Sequence, residues 1–153
     1  MTEQAVTYEL EGEIALIGLN RPHKRNSISE SLREGLAPAI ARANAEAKCG
    51  IIFGHGDHFC GGLDLSEALT WINAEPEVRL RRRGNMHPVL DSMARGYIPF
   101  VAALHGATIG GGLEIASAAH IRVADESTFF ALPEGQRGIF VGGGGSVRIQ
   151  RLM

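Results

Sequence analysis

Gly110-Gly111-Gly112-Leu113-Glu114 is the stretch on which the reading of this chain turns. It follows an apolar run, Ile98 to Leu104, that reads as a strand, and it opens a helix of small residues, Leu113 to Ala119. Glycines let a ligand approach the backbone. The first-turn N–H groups of a helix have no partner within it, and the positive end of the helix dipole lies behind them. An anion fits there. Glu114 stands three residues beyond Gly111, so it returns to the same side of the helix one turn on and brings a carboxylate beside the donor. The same residues also allow a plain role, in which Glu114 complements the dipole and the glycines permit close packing.

Outward from this point, strands alternate with helices. Val6 to Leu10 and Ile14 to Leu19 read as a short hairpin punctuated by Glu11-Gly12. Ser29 is placed to cap an amphipathic helix reaching about Ala47, in which Pro38 should force a kink. Ile51-Ile52-Phe53 reads as a brief buried strand. The polar stretch Ser66 to Arg83 has helical composition, Ile121 to Ala124 returns to strand, and a further helix starts near Ser146. The alternation favours an α/β fold. No repeat or linker divides residues 1–153, so one domain is expected, and the sequence stops at Arg151-Leu152-Met153 inside that last helix.

The totals set limits on function. A net charge of −2 argues against nucleic acid as the main partner, because phosphate binding relies on a basic surface excess. Two cysteines, Cys49 and Cys60, are too few for a disulfide framework and fit a reducing cytoplasm. The first residues have no signal-peptide pattern, and no apolar run is long enough to span a bilayer, so a soluble protein with no membrane partner is expected. His55, His58 and Cys60 lie close together, but no second cluster completes a zinc site, and no metal is expected. Neither the dinucleotide fingerprint nor the P-loop occurs. Arg79, Arg81, Arg82 and Arg83 form a basic run that reads as a solvated helix face or a phosphate contact.

Two further segments carry potential chemistry. Phe59-Cys60-Gly61-Gly62-Leu63-Asp64-Leu65 is a strand-following loop able to turn N–H groups toward a ligand. In Leu132-Pro133-Glu134-Gly135, proline fixes the chain and gives Glu134 a defined direction; on its own, Glu134 reads as a solvated turn residue.

Taken in order, Leu19-Asn20-Arg21-Pro22-His23-Lys24-Arg25-Asn26-Ser27, Phe59 to Leu65, Gly110 to Glu114 and Leu132-Pro133-Glu134 resemble the successive signatures of the crotonase (enoyl-CoA hydratase/isomerase) superfamily. Gly142 to Ser146 with Arg148 resembles the glycine-rich turn and helix that follow in that family. The resemblance implies a crotonase-like spiral of ββα units, covering the N-terminal part of family members and without their C-terminal helical region. It implies a thioester oxygen held by the backbone N–H groups of Leu63 and Gly111, an oxyanion hole. Substrate contacts fall on Arg25, Ser27, Gly61, Leu63, Asp64, Leu65 and Gly110, and catalysis on Glu114 and Glu134. Ser66 stands where many hydratases carry a lysine, and Val141 where a proline is common.

Family members stabilise a thioester enolate, and preorganised donors suit the charge that develops on its oxygen. Members that hydrate enoyl-CoA resemble this sequence in carrying glutamates at both matching positions. The resemblance therefore implies reversible hydration of a 2-enoyl-CoA, with Glu114 activating water and Glu134 delivering a proton to the α-carbon. Two carboxyl groups facing one cavity should push one pKa up. Acyl-CoA is then the substrate and no cofactor is called for. A homotrimer or dimer of trimers is implied if C-terminal helices are present. Double-bond isomerisation, or a catalytically silent acyl-CoA-binding or assembly protein, are the alternative expectations.

Overall fold

The computed structural model describes residues 4–77 and 86–152. The arginine run at 79–83 lies outside them.

The chain opens with the expected hairpin, β1 (Val6–Glu11) and β2 (Ile14–Leu19), paired antiparallel with Glu11 opposite Ile14. Gly12, at the first position of the two-residue connection, has φ +59°, a conformation glycine adopts without steric cost. Ser29 caps helix α1 (Glu30–Glu46), its hydroxyl accepting the Leu32 N–H at 3.1 Å. Leu32, Leu36, Ile40 and Ala43 recur at helical spacing and are fully buried against the sheet. The helix continues through Pro38, where the carbonyl of Glu34 loses the N–H it would otherwise bond.

Strand β3 (Cys49–Gly54) extends beyond the three-residue apolar run, because Gly50 and Gly54 join Ile52 on its buried face. A Cβ at Gly50 would lie 2.3 Å from Cε1 of Phe100, so the ring takes the space a side chain would need. Strand β4 (Phe100–Leu104) begins two residues later than the apolar run predicts. Pro99 has no N–H for the ladder, though its carbonyl accepts from Gly50 at 2.9 Å.

Helices α2 (Leu65–Ile72) and α3 (Met86–Ala94) follow β3 in the chain. After β4 come β5 (Ala107–Ile109), α4 (Gly111–Ala118), β6 (Ile121–Ala124) and β7 (Phe129–Ala131). A 3₁₀ turn at Glu134–Arg137, helix α5 (Gly145–Arg148) and a second 3₁₀ turn at Ile149–Arg151 complete the described chain. The predicted C-terminal helix is thus one short turn that tightens into 3₁₀.

The larger sheet has the order β1-β2-β3-β4-β6, parallel from β2 onward, and the smaller pairs β5 with β7 in parallel. Cys60 extends the smaller layer through a parallel bridge to Thr108. From β3 onward each turn of the chain lays one strand in the large sheet, a short strand or single bridge in the small layer and then helix, which is the expected spiral of ββα units. Leu90 and Met93 of α3, Ile115 of α4, Phe100 and Ile17 join α1 in one core. Each large apolar side chain buried there contributes about 1.5–3 kcal/mol. No helix among the described residues is long and apolar enough to cross a membrane.

Candidate active site

Two peptide units meet where the small-sheet layer ends. Ile28 pairs with Leu63 in an isolated parallel bridge: its N–H donates to Gly62 O at 2.7 Å, and its carbonyl accepts from Asp64 N at 3.1 Å. The Gly62–Leu63 peptide is planar and trans, so a carbonyl directed at Ile28 turns the Leu63 N–H the opposite way. At the start of α4 the same logic applies. Gly110 O accepts the Glu114 N–H at 3.0 Å along the helix, which aims the Gly111 N–H out of the helix end. Gly110 N, for its part, donates to Ala131 O at 2.8 Å and ties this turn to β7.

The two amides are neighbours. A Cβ on Gly62 would sit 3.6 Å from Gly111 N, and one on Gly111 would sit 3.9 Å from Leu63 N. Among the described residues, neither amide has an acceptor. Gly62 holds φ +89°, and its missing side chain lets the two segments touch.

A cavity of about 220 Å³ opens beside them, lined by Gly61, Leu63, Leu65, Gly110, Glu134 and Arg137 among others. Glu134 is buried, in the 3₁₀ turn after Pro133, and its Oε2 has no hydrogen-bond partner among the described residues. A buried polar atom left unpaired costs roughly 1–3 kcal/mol, more for a charged group. Gly110, at φ +54°, is where its carboxylate comes close: a Cβ there would stand 2.6 Å from Glu134 Oε1. A side chain at residue 110 would collide with the carboxylate.

Glu114 is buried too, but its carboxylate is held to one side. Its Oε1 accepts the N–H groups of Gly143 at 2.5 Å and Gly145 at 2.9 Å. Burial raises its pKa above the usual carboxylate value; the two amides oppose that, the charge of Glu134 adds to it, and His87 lowers it. The two carboxyl groups are thus electrostatically coupled, while Glu134 is the one on the cavity wall. The glycine-rich turn that grips Glu114 lies 29 and 31 residues downstream of it, a spacing that local sequence does not reveal.

Residues expected to touch substrate divide into two groups. Gly61, Leu63, Leu65 and Gly110 line the cavity. Arg25 is exposed and outside that lining, and its carbonyl accepts Gly61 N at 2.7 Å. The carboxylate of Asp64 is instead occupied inside the protein: Oδ2 meets Arg21 at 3.0 Å and Ser27 at 3.4 Å, and Oδ1 caps α2 through Ser66 N and Oγ at 3.1 and 2.5 Å. Burial works against its charge, but Ser66 and the Arg21 guanidinium prevail and bring its pKa down to about 2. Ser66, at the position where many hydratases carry lysine, thus serves this cap. Asn26, which the motif reading did not single out, has the same kind of task. Fully buried at φ +52°, it donates to the carbonyls of His55 and His58 at 2.9 and 2.7 Å, and its Oδ1 accepts from Arg21 N at 2.7 Å.

His55 Nε2 meets Thr7 Oγ1 at 2.8 Å, and His58 Nδ1 accepts from Ala107 N at 3.2 Å. Burial pushes the Cys60 thiol up to about 12, which leaves it almost wholly protonated at neutral pH.

The family model for enoyl-CoA hydratase/isomerase matches residues 9–153. This chain belongs to that family. Among solved structures, this crotonase-superfamily chain superposes on an enoyl-CoA hydratase from Thermoplasma volcanium with a TM-score of 0.89 at 30% identity, over 98% of this chain and 60% of that one. A chain from Rhodopseudomonas palustris matches with a TM-score of 0.88 at 46% identity, over 96% of this chain and 56% of that one. The fatty acid oxidation complex subunit alpha of Shewanella loihica is 37% identical over 94% of this chain and 21% of its own length. The peroxisomal bifunctional enzyme of Danio rerio is 34% identical over 95% and 19%. The chain therefore spans a little over half of the solved chains and about a fifth of these two large relatives.

Proposed function

We propose that this chain carries the oxyanion hole and acid–base pair of an enoyl-CoA hydratase. The observation that supports it most is the pair of unclaimed amides, Leu63 and Gly111, beside a cavity walled by a buried carboxylate with an unpartnered oxygen. A thioester carbonyl seated against both amides is polarised, which makes its β-carbon electrophilic. Glu114 takes a proton from water as the oxygen bonds to that carbon. The electron pair of the Cα=Cβ bond becomes a new double bond between the α-carbon and the carbonyl carbon, and the carbonyl π pair moves onto the thioester oxygen as an enolate. Fixed donors stabilise that charge without reorganising, and one such donor is worth roughly 2.7–4 kcal/mol. Glu134 then delivers its carboxyl proton to the α-carbon, giving a 3-hydroxyacyl-CoA, and the proton taken up by Glu114 passes to Glu134 by way of solvent to restore the pair. No electrons leave the substrate, so the step calls for no redox cofactor.

Arg25, Ser27, Asp64 and their neighbours shape the entrance for the CoA portion in this reading, Asp64 and Ser27 through the loop they brace. The setting is the cytoplasm, and the assembly, given C-terminal helices, a homotrimer or a pair of trimers.

One observation favours isomerisation as the second reading: Glu134 faces the cavity, whereas Glu114 is turned toward the glycine turn. A single carboxylate can shuttle a proton between two carbons. The test uses crotonyl-CoA and a 3-enoyl-CoA with the wild type, Glu114→Gln and Glu134→Gln. Hydration that falls by about 10²-fold or more in each variant supports the assignment. Migration of the double bond, with deuterium entering the α-carbon and no hydrated product, would favour isomerisation; binding without turnover would favour a silent acyl-CoA carrier.

A further inference from the structure

Arg148 stands behind the turn that grips Glu114. Its Nη1 donates to Gly143 O at 2.8 Å and its Nη2 to Asp91 Oδ1 at 2.7 Å. Gly143 is therefore bonded on two sides: its N–H holds the Glu114 carboxylate, and its carbonyl is held by a cation. Gly144 between the two donor amides has φ +92°, and a Cβ there would fall 2.3 Å from Arg148 Nη1. The backbone passes between anion and cation with no room for a side chain. Successive N–H groups around a left-handed residue make a concavity that binds an anion, and those of Gly143 and Gly145, on either side of Gly144, hold Glu114.

Asp91 gives the arrangement an anchor outside the turn. It belongs to α3, whose Leu90 and Met93 are fully buried in the core, and its own carboxylate is 47% exposed while Arg148 is 17% exposed. The core thus fixes α3, α3 fixes the guanidinium, and the guanidinium fixes the carbonyl of Gly143. Arginine suits the task because its planar fork presents donors in fixed directions to two acceptors, whereas an ammonium on a flexible stem holds neither direction. The positive charge also lies near the Glu114 carboxylate, beyond one layer of backbone.

We propose that Arg148, anchored by Asp91, is a positioning residue that holds the Gly143–Gly145 turn in the shape that orients Glu114 and keeps two N–H donors on its carboxylate. The proposal takes its catalytic meaning from the hydration reading, but the orientation of Glu114 is measurable without turnover. The titratable groups that act on Glu114 directly are Glu134 from the 3₁₀ turn and His87 from α3; Arg148 of α5, paired with Asp91 of α3, reaches it through the carbonyl of Gly143.

The amide protons of Gly143 and Gly145 donate to Glu114, so their chemical shifts report its ionisation in ¹H–¹⁵N spectra. The full chain is titrated as wild type and as Arg148→Met, Arg148→Lys and Asp91→Asn, with Glu114→Gln identifying the transition. The expected result is a midpoint raised by about 0.5–1 pH unit in Arg148→Met and by less in the other two. With crotonyl-CoA, kcat falls in the same order, its acidic limb moves by the same amount, and KM changes little. A folded Arg148→Met with an unmoved midpoint overturns the proposal, even if its melting temperature drops, since that marks a structural role only. If Arg148→Met does not fold, unmoved midpoints in both Arg148→Lys and Asp91→Asn overturn it equally. A wild type inactive on every enoyl-CoA defeats the hydration reading and leaves the titration to decide the positioning claim.

Discussion

Burial lifts the carboxyl of Glu114 above the usual 4.5 although two amides hold its charged form. The native state therefore binds this proton more tightly than the unfolded chain. The stability it contributes is full below pH 4.5 and is lost as pH rises through the raised native value. Glu114→Gln should flatten that part of the pH profile and leave stability at pH 7 unchanged or higher, as urea unfolding across this range would show. Asp64 has the opposite sign: with its pKa lowered from 3.8 to about 2, its contribution is present above 3.8 and is lost as pH falls through 2. Asp64→Ala should cost about 2 kcal/mol or more at pH 7, because it also leaves Arg21 unpaired in a largely buried position. At this scale the sequence was informative about which residues matter and less so about how. Glu114 and Gly111 could be placed together from helical geometry alone. The bonds of Asp64 to Arg21 and of Glu114 to Gly143 join residues 43 and 29 apart, and no local pattern encodes such closures.

Elements long enough to show a period were legible. The hairpin, α1 with its Ser29 cap, β4, α4 and β6 lie close to where pattern and capping put them. The strands β5 and β7 have three residues each, too few for alternation to register, and Cys60 joins their layer as a single bridge. Yet that thin layer orients the two amides, because it ends at Gly62–Leu63 on one side and Gly110–Gly111 on the other. Helix α3 was missed because its apolar residues sit within a mixed segment that opens on Met86-His87-Pro88. Pro38 offers a check on α1: proline inside a helix is about 3 kcal/mol less favourable than alanine. Pro38→Ala should raise the unfolding free energy by about 1 kcal/mol or more. Ser29→Ala should lower it by about 1 kcal/mol, since the Leu32 N–H loses its acceptor. Thermal and denaturant melts of the two variants read opposite signs.

Across the whole molecule, the buried core lies on one side of the spiral and the chemistry at its small-sheet edge. On β6, β7 and the segment after them, Ile121, Val123, Phe129, Phe130 and Phe140 are all more than half exposed. The account stands on the convergence of the Leu63 and Gly111 amides upon one carbonyl oxygen. Titrating the ¹⁵N-labelled chain with butyryl-CoA, which has the thioester but no double bond to hydrate, tests this most directly. Both amide protons should move downfield together along one binding curve, and a ¹³C-labelled thioester carbonyl should shift as it is polarised. Saturation of the binding site with either amide unmoved would contradict the account.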